Sequence, residues 1–196
     1  ETATLMEKLH AEAGAAYVCA PFFGRPPAAA AGKLGIALSG PADAKARIRP
    51  LLDPLSHRVD DFGEAPAAAN VVKLAGNFMI GSAIEALAEA CALAEKGGVD
   101  REAFIDLMSN TLFDCPVYKI YGTGIAKSVY QPAGMRLVLG LKDMGLVLDA
   151  ANGLGVPMPM GSLVRDRLIR AVNAGQGEDD WMAADVAARE DAGLTS

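Results

Sequence analysis

From Pro66 the chain runs to about Lys96 with no further proline, and the segment stops at Gly97-Gly98. Proline suits the first turn of a helix and glycine the position just past its end, so the segment reads as one continuous helix. At about 1.5 Å per residue it would run roughly 45 Å, longer than a small domain is wide. The rest of the fold has to be organised around this rod. Its N-terminal part carries Lys73 and Asn77, four residues apart and therefore on one helical face. Val71, Val72, Leu74, Phe78, Met79 and Ile80 cover nearly every other direction. A helix apolar almost all round is normally buried, so the two polar groups are expected at an interior or cleft wall. The span Val71 to Leu93 is long enough for a bilayer, but Lys73, Asn77, Glu85 and Glu89 make it read as the buried helix of a soluble protein.

The two sides of the rod differ in pattern. Before it, helical Thr2–Ala13 is followed by the apolar run "AAYVCAPF", the glycine-bounded strand "GKLGIALSG", the helix "PADAKARIRPLLDPL" and the strand "SHRVDDF". Strands alternating with helices predict parallel pairing through crossover helices, an α/β arrangement. After the rod no strand pattern remains. Asp100 caps a helix over "REAFIDLMSN", and "CPVYKIYGTGIAK" reads as irregular or partly helical. Three further helices follow, in "GLKDMGLVLDAANGLG", "MGSLVRDRLIRAVNAG" and "DWMAADVAARED". The predicted fold class is α/β followed by all-α, with domains 1–65 and 66–196.

Composition narrows the function classes. Hydrophobic residues make up 52% and charged residues 21% of the 196, which is globular composition and excludes disorder. A net charge of -6 with scattered Lys and Arg argues against nucleic acid or an anionic membrane as partner. Cys19, Cys91 and Cys115 are far apart and show no metal-ligand spacing, so reduced thiols, a cytoplasmic location and no metal are expected. "GTGIAK" and "GLGVPM" begin G-x-G but lack the third glycine and the strand–turn–helix context, and they read as turns. His10 and His57 read as structural or surface residues, and Asp60-Asp61 and Glu178–Asp180 as solvated.

Lys73 admits two readings. Its stem could pack on the helix with the ammonium in water. Alternatively, a lysine in a low-dielectric cleft donates or accepts a proton near neutral pH, with Asn77 orienting a substrate hydroxyl or carbonyl. K-x-x-x-N at the start of a long helix, directly after the last strand of an α/β domain, resembles the β-hydroxyacid dehydrogenase family. That family includes 3-hydroxyisobutyrate dehydrogenase and the 6-phosphogluconate dehydrogenase-like enzymes. "CAPFFGRPPAAAAGKLGIALSG" is similar to its substrate segment, "ALAEKGGVD" to the end of its interdomain helix, and "GLKDMGLVLDAANGLGVPMPM" to its K-D helix and following turn.

The resemblance implies a Rossmann-type domain, of which this chain would hold the C-terminal half, since no strand–GxGxxG–helix opens it. It also implies a long interdomain helix, a helical substrate and dimerisation domain, and NAD or NADP as hydride carrier. By the same resemblance Lys73 is the acid/base, Asn77 its orienting partner, and Phe23, Gly24 and Arg25 line the substrate. Lys142 falls where the family has a lysine near the nicotinamide, and a surface lysine beside Asp143 is the equal alternative. Phe23 stands where the family usually has serine, and Gly76 where it has the first of two asparagines. Small hydroxy acids, alcohols or carbonyl compounds are the implied substrates. The imine reductases share the architecture but usually replace this lysine. The competing reading is a non-catalytic fragment for dimerisation and substrate binding. A 45 Å apolar helix is hard to bury in one subunit, so a homodimer is expected in either case.

Overall fold

Leu34–Leu38, buried on both faces, forms the central strand of a three-stranded sheet. The computed structural model describes residues 2–194 and falls into two units, Glu1–Gly76 and Asn77–Ser196. The first contains α1 (Thr2–Glu12), β1 (Phe22–Phe23), α2 (Pro26–Ala30), β2 (Leu34–Leu38), α3 (Ala42–Leu52), β3 (Ser56–Asp61) and the first turns of α4 (Ala67–Lys96). The sheet order is β1-β2-β3, with Leu34, Ile36, Ala37 and Leu38 of the central strand buried.

β2 and β3 pair in parallel through α3, as the alternating pattern predicts. β1 departs from that pattern, because it is antiparallel to β2 and only two residues long. Residues 24–33 are fewer than the dozen or so that a parallel crossover takes, so the chain turns back on itself. Upstream, the expected strand in "AAYVCAPF" is reduced to a single bridge between Cys19 and Ser39.

Small residues set the entry of α4. Ala3, Cys19, Ala37 and Ala69 form one buried cluster, with Tyr17, Ala67 and Val72 packed against it. Ser39, fully buried just past β2, donates its hydroxyl to the Pro66 carbonyl at 2.9 Å and accepts from the Ala69 N–H at 3.1 Å. It thereby satisfies one of the orphan donors of the helix N-terminus. Lys45 on α3 ties the end of β3 to the same turn, bonding the Asp61 carboxylate at 2.6 Å and the Gly63 carbonyl at 3.1 Å.

The second unit is helical: the remainder of α4, then α5 (Arg101–Asn110), α6 (Pro116–Ala126), α7 (Leu137–Leu154), α8 (Pro159–Ala171) and α9 (Ala184–Asp191). Its core is built on Trp181, which is 1% exposed, together with Ile84, Ile125, Leu137, Met144 and Val164. Glycines make room for Trp181 and its neighbour Met182. A Cβ at Gly140 would lie 2.5 Å from Trp181 Cε3, and one at Gly124 would lie 2.4 Å from Met182 Sδ. Beside it Arg101 donates to Asp185 at 2.7 Å, and the Tyr130 hydroxyl donates to the same carboxylate oxygen at 2.8 Å. Burial and the facing Asp185 charge push the Tyr130 phenol well above its ordinary value.

Three expectations need correction here. "CPVYKIYGTGIAK" is a full helix, α6, and its glycines are packing positions, Gly122 against Ile105 and Gly124 against Met182. In "GLGVPM", Gly153 lies inside α7, and only Gly155 makes the turn, as a left-handed C-cap with φ of 68°. Asp180 is fully buried and not solvated, accepting from the Gly134 N–H at 2.9 Å and capping the short turn at Trp181. The rod itself is also less enclosed than its apolar pattern predicts. α4 meets the length and composition of a membrane-crossing helix with a third of that span buried, and it leaves Met79 69% and Leu93 77% exposed.

Candidate active site

Lys73 sits two turns into α4, on the stretch fixed by Ser39 and the Ala69 cluster. It is half-buried, and its ammonium lies 4.4 Å from the centroid of the Phe23 ring, within cation–π range. Phe23 reaches this position because β1 pairs it with Gly35 on the central strand. Gly24, next in the chain, has φ of +143°, and a Cβ there would lie 2.6 Å from Leu34 Cδ2. Glycine is therefore required at 24 for backbone and packing alike. Arg25 is the N-cap residue of α2, and its carbonyl accepts from the Ala28 and Ala29 N–H groups at 2.9 and 3.1 Å. The first unit thus brings Lys73, Phe23, Gly24 and Arg25 into one neighbourhood of strand and helix.

In the second unit Asn77 is 5% exposed, and its amide donates to Asp143 Oδ2 at 2.7 Å. That bond fixes the amide orientation, since a carboxylate accepts only from the NH2 side, and it leaves the Asn77 carbonyl oxygen as an acceptor. Lys142 pairs with the other oxygen of Asp143 while its own side chain is 58% exposed. Lys142, Asp143 and Asn77 therefore form a short relay from the surface to a buried amide. Asp143 is the residue that sequence reasoning missed as a site member. It entered only as the neighbour of Lys142, and no local pattern links it to Asn77. Lys73 and Asn77 both fall within the uninterrupted α4, one turn apart.

Among the described residues no group of His, Cys, Asp or Glu could hold a metal ion. Gly122, Gly124 and Gly153 are inside helices, so neither G-x-G stretch forms a strand–turn–helix phosphate loop. A groove of about 570 Å³ lined by Glu102, Asp106, Lys119 and Lys127 shares no residue with the set above.

Residues 67–186 match the family described as NAD-binding of NADP-dependent 3-hydroxyisobutyrate dehydrogenase. An uncharacterized oxidoreductase of Bacillus subtilis, YfjR, is 41% identical over 174 residues, covering 89% of this chain and 60% of that protein. An L-threonate dehydrogenase of Cupriavidus necator is 31% identical, covering 87% of this chain and 57% of its own length. The crystal structure of a 3-hydroxyisobutyrate dehydrogenase from Salmonella typhimurium superposes with a TM-score of 0.86 at 26% identity, covering 94% of this chain and 65% of that one. The chain spans about 60% of the length of the curated relatives it matches. With the family match covering more than half of its residues, the chain belongs to the 3-hydroxyisobutyrate dehydrogenase family of β-hydroxyacid dehydrogenases.

Proposed function

We propose that this protein takes part in nicotinamide-dependent oxidoreduction of the β-hydroxyacid dehydrogenase type, interconverting a small hydroxy acid or alcohol with its carbonyl compound. The observation that carries the reading is Lys73. It is the one lysine held on α4 against β1, with a long flexible stem, a fixed helical base and an ammonium beside an apolar ring. In the reductive direction Lys73 donates a proton to the substrate oxygen, and in the oxidative direction it accepts the hydroxyl proton. Asn77, oriented by Asp143, offers its carbonyl to a substrate hydroxyl. Phe23, Gly24 and Arg25 form the substrate side. NAD or NADP, when bound, supplies or takes up the hydride. Of the described residues, Lys142, paired with Asp143, would face that cofactor. Residues 1–65 form the α/β part of this arrangement and 66–196 the helical part. Val71, Met79 and Leu93 of α4, exposed in the single chain, form the contact for a second copy. Retention of Lys73 favours carbonyl and alcohol chemistry over imine reduction.

The test is Lys73→Ala in the intact protein, assayed with NADH and NADPH. Turnover should fall by about two orders of magnitude, the usual worth of a positioned acid/base, with nucleotide affinity unchanged. Turnover within a few-fold of the parent would make Lys73 a surface-reaching helix residue and end this reading.

A further inference from the structure

Gly76 lies inside α4, where glycine is a poorer helix former than alanine. The structure shows what this glycine makes room for. A Cβ at position 76 would lie 2.4 Å from Phe23 Cε1 and 2.5 Å from Cζ, so the ring occupies the volume that any side chain there would fill. Gly76 is three residues from Lys73 and so adjacent to it on the helix surface. The ring that fills the gap at 76 is the same ring that lies 4.4 Å from the Lys73 ammonium.

We propose that Phe23 and Gly76 act as one specificity determinant: the ring, seated over the bare backbone at 76, walls the Lys73 ammonium with an apolar surface that favours neutral carbonyl or alcohol substrates over carboxylate-bearing ones. Two physical effects point the same way. A carboxylate brought against the ring face meets the negative side of its quadrupole. The ring also strips water from it and donates no hydrogen bond in return. A neutral substrate with an apolar body loses little water there and still reaches the lysine with its oxygen. Neither residue produces this wall alone. The ring needs the empty position, and glycine in mid-helix is compensated only by what packs on it. The inference rests on Lys73 being the proton-transferring group.

The first test reads geometry without turnover. In protein labelled with ¹³C-lysine, the Lys73 ε-methylene protons should resonate upfield of the other lysines through the ring current of Phe23. They should return to the ordinary range in Phe23→Ser and in Gly76→Ala, where a single methyl displaces the ring. Lys73 protons at the ordinary lysine position in the parent would overturn the proposal. The second test titrates 3-hydroxypropanoate and 1,3-propanediol, a matched anionic and neutral pair, while following the same signals. Phe23→Ser should raise affinity for the anion at least tenfold relative to the neutral probe, and Gly76→Ala should shift the ratio in the same direction. An unchanged ratio in both variants would overturn it. Neither readout requires hydride transfer, so loss of activity in Lys73→Ala tests the catalytic reading and these ratios test the pair.

Discussion

Replacing Gly140 with alanine should destabilise the helical unit, although alanine is the better helix former. The new methyl would lie 2.5 Å from Trp181 Cε3 and 3.2 Å from Trp181 Cβ, against an ordinary contact of 3.4 Å or more. Trp181 is 1% exposed, and the crowded atoms include its Cβ, so the indole cannot swing clear at its far end. Overpacking of this kind costs about 1–3 kcal/mol, and the upper end applies where the neighbour is fixed. The propensity gain of about 1 kcal/mol offsets part of it, leaving a net loss of about 2 kcal/mol. Gly145 on the same helix is the internal control, since a Cβ there meets nothing within 4 Å. Gly145→Ala should therefore gain about 1 kcal/mol. Trp181 is the only tryptophan, so urea unfolding followed by its fluorescence reads this unit directly. With a slope of about 2 kcal/mol per molar urea, the two variants should differ in midpoint by about 1.5 M. A Gly140→Ala midpoint at or above that of the parent would refute the packing argument. The consequence extends to the site, because α7 carries Asp143 three residues beyond Gly140, and a displaced α7 strains the 2.7 Å bond to Asn77.

The remaining predictions concern the thiols and the assembly. Burial pushes the Cys91 thiol up to about 11, whereas Cys115 is partly accessible at the start of α6, so iodoacetamide at pH 8 should label Cys115 and spare Cys91 in the native protein; equal labelling by mass spectrometry would contradict the buried placement. Light scattering at micromolar concentration should give a dimer with an apolar interface above about 2,000 Å², and a monomer would leave the exposed face of α4 without its proposed partner.

Where the sequence was legible, a local rule and a tertiary contact agree. α4 runs from Ala67 to Lys96 because Pro66 precedes it and Gly97-Gly98 ends it, and no buried neighbour contradicts those signals. Asp100 caps α5 through its own side chain, accepting from the Ala103 N–H at 2.8 Å. α6 was illegible for the opposite reason. Its two glycines weaken a helix locally, and what restores it is Ile105 and Met182 packing where side chains would stand, both outside the segment. Asp180 was hidden in the same way, since an acidic run looks solvated until the Gly134 N–H is found pointing at it. Lys73 and Asn77 could be paired from spacing because a helix makes spacing into geometry. The bond from Asn77 to Asp143 joins two helices, and neither helix carries a pattern that encodes the other.

Phe23 and Gly76 carry the same lesson to the chemistry. Read singly, each is a departure from the family pattern with its own cost, a lost hydroxyl contact at one position and a flexible residue in mid-helix at the other. Read together, each is the condition for the other, since the ring has nowhere to sit without the glycine and the glycine gains no packing without the ring. Paired departures of this kind constrain function more tightly than a retained motif does. As the proposed acid/base, Lys73 suits any substrate that needs a proton, whereas on the same proposal the ring 4.4 Å from its ammonium restricts which substrates approach. On the proposed reading Lys73 defines the reaction type, and the aromatic ring seated over position 76 selects among its substrates.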